Sequence, residues 1–125
     1  MISGIVSANR EAVLRLEVLD AEGNARERNV VVDTGFDRFL TLPPEFITLL
    51  DLPWLRFGRA TLGDGSETSF DIYEAIVLWD GQSRTVPVYA LDAEPLLGMS
   101  LMYGYELILP VLDGATFTLR SVAAI

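Results

Sequence analysis

An all-β domain of roughly seven to nine strands, with one or two short helices, is the fold class that the sequence predicts. Leu14, Leu16 and Val18 alternate with Arg15 and Glu17, and Ala115, Phe117 and Leu119 alternate with Thr116, Thr118 and Arg120. Successive side chains on a strand point to opposite faces, so each run has one face to bury. Glu22-Gly23-Asn24, Asp64-Gly65, Asp80-Gly81 and Asp113-Gly114 punctuate such runs. Asp and Gly tolerate positive φ, which a tight hairpin turn requires. The length of 125 residues suits one domain, residues 1–125, and is short for two well-cored halves.

Along the chain, an apolar start at Ile2–Val6 is broken by Arg10 and Glu11 before the first alternating strand. Val30-Val31-Val32 is a β-branched strand that ends in Asp33-Thr34-Gly35, so an acidic side chain emerges where a strand gives way to a turn. Pro43-Pro44-Glu45 leads into Phe46, Ile47, Leu49 and Leu50 at helical spacing, with proline at the first turn, where its missing N–H costs nothing. Asp64-Gly65 reads as a hairpin turn. Pro95-Leu96-Leu97-Gly98 then introduces Met99–Tyr103, a helix of one or two turns that Gly104 is placed to cap. The chain holds no internal repeat and no low-complexity tract.

Composition removes much chemistry. The chain has no His, no Cys and no Lys, and all nine basic residues are Arg. No imidazole is present to activate a serine, no thiolate to act as nucleophile or zinc ligand, and no lysine for a phosphate-binding loop or Schiff base. Carboxylates and hydroxyls remain. A net charge of −9 opposes binding to nucleic acid or an anionic membrane, which clustered cations would have to drive. No signal-like start and no apolar run of about 18 residues occurs. The expectation is a soluble, cytoplasmic protein with no nucleic-acid or membrane partner. Asp64, Glu67, Asp71 and Glu74 lack the spacing of a Ca2+ loop, so no metal site and no cofactor are expected.

Three segments in order carry a resemblance. Val30-Val31-Val32-Asp33-Thr34-Gly35-Phe36-Asp37, Ala60-Thr61-Leu62-Gly63-Asp64-Gly65-Ser66 and Pro95-Leu96-Leu97-Gly98 resemble the catalytic loop, the flap hairpin and the apolar-apolar-Gly segment of the single-domain, bacterial-type retropepsin-like aspartic proteases. The likeness runs from the strand before Asp33 to the end of the chain. It implies a closed, barrel-like acid-protease fold, a homodimer, a peptide or protein substrate, and an endopeptidase in which Asp33 of each copy is catalytic. By the same resemblance, Thr34 bonds across the dimer, Gly35 lets substrate backbone approach, Gly63, Asp64 and Gly65 form the lid tip, and Phe36 and Asp37 touch substrate.

The chemistry explains those residue types. Two carboxylates set close together share one proton, so one serves as base towards a water while the other donates to the carbonyl oxygen under attack. Because the chain holds one Asp-Thr-Gly and no room for a second lobe, two copies must supply the pair. The apolar ends, Ile2–Val6 and Val122–Ile125, are the expected partners in an intersubunit sheet. Two positions depart from the family. Phe36 replaces its usual Ala or Ser and narrows the cleft, and Met99 stands where viral members place the Arg that pairs with the residue at Asp37, leaving neighbouring Arg38 as a partial substitute. Those departures motivate an alternative, a dimeric peptide-binding module of the same fold with weak or no turnover. A further alternative is an unrelated β-barrel or sandwich in which Asp33 only shapes a turn. Trp54, Trp79, Tyr73, Tyr103 and Tyr105 are read as core or rim packing.

Overall fold

A computed structural model describes residues 1–61 and 64–122 of the 125-residue chain. In chain order the elements are β1 (Ile2–Val6), β2 (Ala12–Leu19), β3 (Ala25–Val32), β4 (Leu40–Leu42), α1 (Pro44–Leu50), β5 (Trp54–Thr61), β6 (Glu67–Trp79), β7 (Gln82–Ala90), β8 (Leu96–Leu97), α2 (Met99–Met102), β9 (Tyr105–Ile108) and β10 (Thr116–Ser121). The fold is all-β, with more and shorter strands than expected: two of the ten described, β4 and β8, are too brief to show a period of their own.

The strands form one sheet in the order β5-β6-β7-β4-β8-β3-β2-β1-β10-β9. An extra pairing of β6 with β2, through Leu78 opposite Glu17 and Val77 opposite Val18, bends the middle of this sheet into a ring. Inside it lie Val18, Val30, Leu40, Leu42, Val77, Val88 and Leu97, all fully buried. Two branches leave the ring. One is the long β5–β6 arm, registered from Trp54 opposite Tyr73 out to Thr61 opposite Glu67. The other is β1-β10-β9, whose Phe117 and Leu119 close a second part of the core.

Turn chemistry accounts for the joins. Asp80 and Gly81 both take positive φ, 52° and 81°, between Trp79 and Gln82, the mirror-image turn whose twist suits paired strands. Helix α1 starts with Pro43 as its cap and Pro44 in the first turn, buries Phe46, Ile47 and Leu50, and ends at Asp51 in the left-handed region. Leu49, the remaining apolar residue of that run, is 64% exposed. Helix α2 spans Met99–Met102; Tyr103 is its C-cap and Gly104, at φ 87°, follows one position later.

One expectation is corrected here. Ile2–Val6 is not left for a second chain, because β1 already lies between β10 and β2, pairing Ile2 with Leu119 and Val6 with Ala12. Of the other terminal segment, Val122 donates its N–H to the Gly104 carbonyl at 2.9 Å, and residues 123–125 lie outside the described residues. No helix among the described residues is long and apolar enough to cross a membrane.

Candidate active site

The Asp33 loop leaves the end of β3 and is set by a strand inserted beside it. Strand β8 runs parallel to β3, with Val31 opposite Leu96 and Val32 opposite Leu97, and antiparallel to β4, with Leu40 opposite Leu97. The chain therefore goes out along β3, through the Asp33 loop, and back along β4 with β8 between the two. Asp33 N–H donates to the Leu97 carbonyl at 2.9 Å, fixing the residue at the mouth of this arrangement.

Past β8 the chain clasps the loop from below. Gly98 N–H donates to the Phe39 carbonyl at 2.9 Å, Met99 N–H to Phe36 at 2.8 Å and Ser100 N–H to Arg38 at 3.2 Å, while the Ser100 hydroxyl donates to the Asp37 carbonyl at 2.6 Å. Gly98 is required for this closeness: a Cβ there would run into the Arg38 carbonyl oxygen and lie 2.7 Å from the Phe36 ring. Its φ of −99° is open to any residue, so the demand is for space, not for conformation.

Within the loop, Asp33 is half-buried and Thr34 and Gly35 are exposed. Gly35 N–H donates to Asp33 Oδ1 at 2.9 Å, and Phe36 N–H donates to the Asp33 carbonyl at 3.2 Å. This turn orients the carboxylate. None of the ion pairs among the described residues takes it up. Gly35 does not have positive φ; what limits the position is that a Cβ would stand 3.2 Å from Asp33 Oδ1. Thr34 turns away from the chain's core and lines a groove of about 750 Å³ with Met99, Tyr103 and Leu107.

Phe36 points the other way, into a cleft of about 480 Å³ between the loop and the β5–β6 arm. Its ring meets Tyr89 edge-on at 6.4 Å, and Tyr89 meets Phe70 at 5.9 Å, so an aromatic row ties the loop to the arm. Leu91 and Leu96 continue the apolar lining, and Arg38 and Arg59 stand at the rim. Tyr89 and Phe70 escaped the sequence reading because on strands β7 and β6 they look like ordinary packing residues. Their signal was only that Phe36, a large side chain in a loop, needed company.

Asp37 and Arg38 are both exposed and pair at 3.6 Å, the substitute pairing that the absence of Arg after Gly98 left open. A surface pair of this kind contributes about 0–1 kcal/mol. At the tip of the arm, Asp64 accepts hydrogen bonds from Ser66 N–H at 2.9 Å and the Ser66 hydroxyl at 2.6 Å, and Gly65 takes φ 85°. The Ser66 hydroxyl, then its N–H, hold the Asp64 carboxyl below the usual carboxylate range. Gly63 lies outside the described residues. Among the described residues no three acidic side chains gather as metal ligands, and Asp71 accepts from Trp54 Nε1 at 3.0 Å.

Comparison with protein-family models, with curated proteins and with solved structures finds no match to this chain.

Proposed function

We propose that this chain is one half of a homodimeric, retropepsin-like aspartic endopeptidase whose site is completed when Asp33 of each copy faces its twin. The observation that carries the reading is the clasp: Asp33 stands half-buried at the end of β3, paired with no cation among the described residues, in a turn tied to Gly98, Met99 and Ser100 by hydrogen bonds. Catalytic groups need a fixed position more than they need affinity, and a loop gripped on both sides by strand and helix supplies that. The absence of His, Cys and Lys leaves carboxylates as the side chains best suited to general acid–base work.

In the proposed reaction the pair holds one proton between them. The ionised Asp33 takes a proton from water as its oxygen bonds to the scissile carbonyl carbon, and the protonated Asp33 gives its proton to the carbonyl oxygen. The resulting gem-diol then collapses: one hydroxyl proton returns to a carboxylate, the amide nitrogen is protonated by the other, and the C–N bond breaks to leave an acid and an amine. Hydrogen bonding by Thr34 across the axis fixes the two loops. The β5–β6 arm lies over the cleft where peptide backbone passes, and Gly65 provides the conformational freedom at its tip. Because the pair must hold one proton, the rate follows a bell-shaped pH profile.

Phe36 favours the alternative of a peptide-binding module with little turnover, since its ring takes up cleft space against Tyr89. One experiment separates the two. Incubated with a diverse peptide pool and read by mass spectrometry, the parent is expected to generate new termini and Asp33→Asn to generate none, with circular dichroism unchanged. Cleavage by Asp33→Asn would overturn the assignment; peptide capture without cleavage by the parent would favour the binding module.

A further inference from the structure

We infer that β9 is the seam of the dimer: two copies of the chain join edge to edge along Tyr105–Ile108, so that β1-β10-β9 of one runs on into the same three strands of the other. This rests on the homodimeric reading above and says where the second copy docks.

Strand β9 ends the sheet, pairing with β10 through Ile108 opposite Thr118 and Tyr105 opposite Ser121, with no strand on its other side among the described residues. An open edge offers a row of N–H and C=O groups to any extended chain, and folded proteins usually guard it with charge, proline or a bulge. The opposite end of the sheet is guarded in this way, since β5 carries Arg56 and Arg59 and an irregular register between Trp54 and Arg56. Strand β9 carries only Glu106, which is already tied to Arg120 of β10.

The surroundings of this edge are apolar. Tyr103 is 85% exposed, Ile108 50% and Leu112 70%, with Met99, Leu109 and Val111 exposed beside them. Scattered apolar residues need no explanation, but a run of this kind along one edge marks an interaction surface. Charge then selects the occupant. Residues 95–112 contain a single charged side chain, Glu106, in a chain of net charge −9. A cationic partner would seek the acidic faces; a second −9 chain meets least repulsion where charge is nearly absent. Antiparallel pairing of β9 with its own copy is self-complementary about a two-fold axis, so it closes as a dimer and uses up the β9 edge of both copies.

The edge also lies close to the Asp33 loop. Thr34, the neighbour of Asp33, shares one groove with Met99, Tyr103 and Leu107. A seam on this face brings a second copy up to the loop that is incomplete without it.

The chain has no cysteine, so a single introduced thiol reports contacts without interference. Glu106→Cys and Ile108→Cys, made one at a time at outward-facing positions of β9, are expected to give a covalent dimer on mild oxidation, and Glu22→Cys in the β2–β3 turn is not. Ile108→Asp sets like charges against each other across the seam and is expected to raise the dimer Kd by roughly a hundredfold in sedimentation, with strand content by circular dichroism retained. A parent dimer that survives Ile108→Asp and forms no cross-link from either β9 position would overturn the seam while the shared-site reading stands. A monomeric parent that cleaves peptides would overturn both.

Discussion

Gly98→Ala tests whether the clasp holds the Asp33 loop. Its backbone, at φ −99° and ψ 175°, accepts alanine, so any effect comes from the added methyl group alone. That carbon meets the Arg38 carbonyl oxygen and lies 2.7 Å from Phe36 Cδ2. No rotamer change relieves a collision with backbone, so either the loop or the β8–α2 junction must shift. A shift strains the bonds from Gly98 N–H to Phe39, Met99 N–H to Phe36, Ser100 N–H to Arg38 and the Ser100 hydroxyl to Asp37. Each is worth about 1 kcal/mol net, and overpacking itself costs typically ~1–3 kcal/mol. The expected loss is ~2–4 kcal/mol, a large share of the ~5–15 kcal/mol that holds a domain folded. Urea denaturation followed by tryptophan fluorescence measures it. Gly23→Ala is the comparator, since its φ of 85° strains alanine but nothing lies within 4 Å of the new carbon; the left-handed conformation alone costs roughly 1–2 kcal/mol. If Gly98→Ala unfolds within ~0.5 kcal/mol of the parent, the loop is not held as described.

Two further outcomes follow from other parts of the molecule. Phe36→Ala removes the edge-on contact with Tyr89 and opens the cleft towards Phe70, so it is expected to lose ~1–2 kcal/mol of stability and shift cleavage towards bulkier side chains; unchanged preference across a peptide library would mean that the ring does not bound a subsite. Asp20 accepts N–H bonds from Asn24 at 2.8 Å and Glu22 at 3.0 Å and pairs with Arg26; the Asn24 bond first of all holds its carboxyl below the ordinary 3.8. A lowered folded-state pKa means that the stabilisation is complete above the ordinary value and lost as pH falls through the folded one. Stability of the parent should therefore decline below about pH 4, and Asp20→Asn should flatten that decline in thermal unfolding scans from pH 2 to 7. An unchanged acid limb would show that Asp20 does not contribute to it.

Legibility in the sequence followed physical causes. The β2 and β10 strands were readable because one face is buried and the other wet, which writes period two into Leu14–Val18 and Phe117–Leu119. The Asp80-Gly81 turn was readable because few other residues accept two positive φ angles in succession. The first part of β3, Ala25–Asn29, left no trace because neither face is buried there; Arg15–Glu27 pairing and Arg28 over Phe46 occupy it instead. Strand β8, at two residues, is too short for any pattern, and tertiary contact alone makes it a strand. Of the site, the sequence located Asp33, Thr34, Gly35 and Phe36 in one loop, whereas the clasp by Ser100 and the company of Tyr89 depend on which distant strands meet. The role of Ile2–Val6 was misjudged for the same reason: an apolar segment wants a partner, and sequence does not say that β10 of the same chain supplies it.

The clasp also sets a timetable. Ser100 and Asp37, which it joins, are 63 positions apart in the chain. During synthesis Asp33 leaves the ribosome long before Gly98, so a growing chain carries its carboxylate on an untethered turn until the segment from Leu97 to Ser100 has been made. Ordering the loop waits on the closure of that long span, a contact of high sequence separation and correspondingly slow formation. An unfinished chain, or one truncated before β8, is thus left without a positioned Asp33, so whatever chemistry that carboxylate performs waits until the strand and helix that hold it have been made.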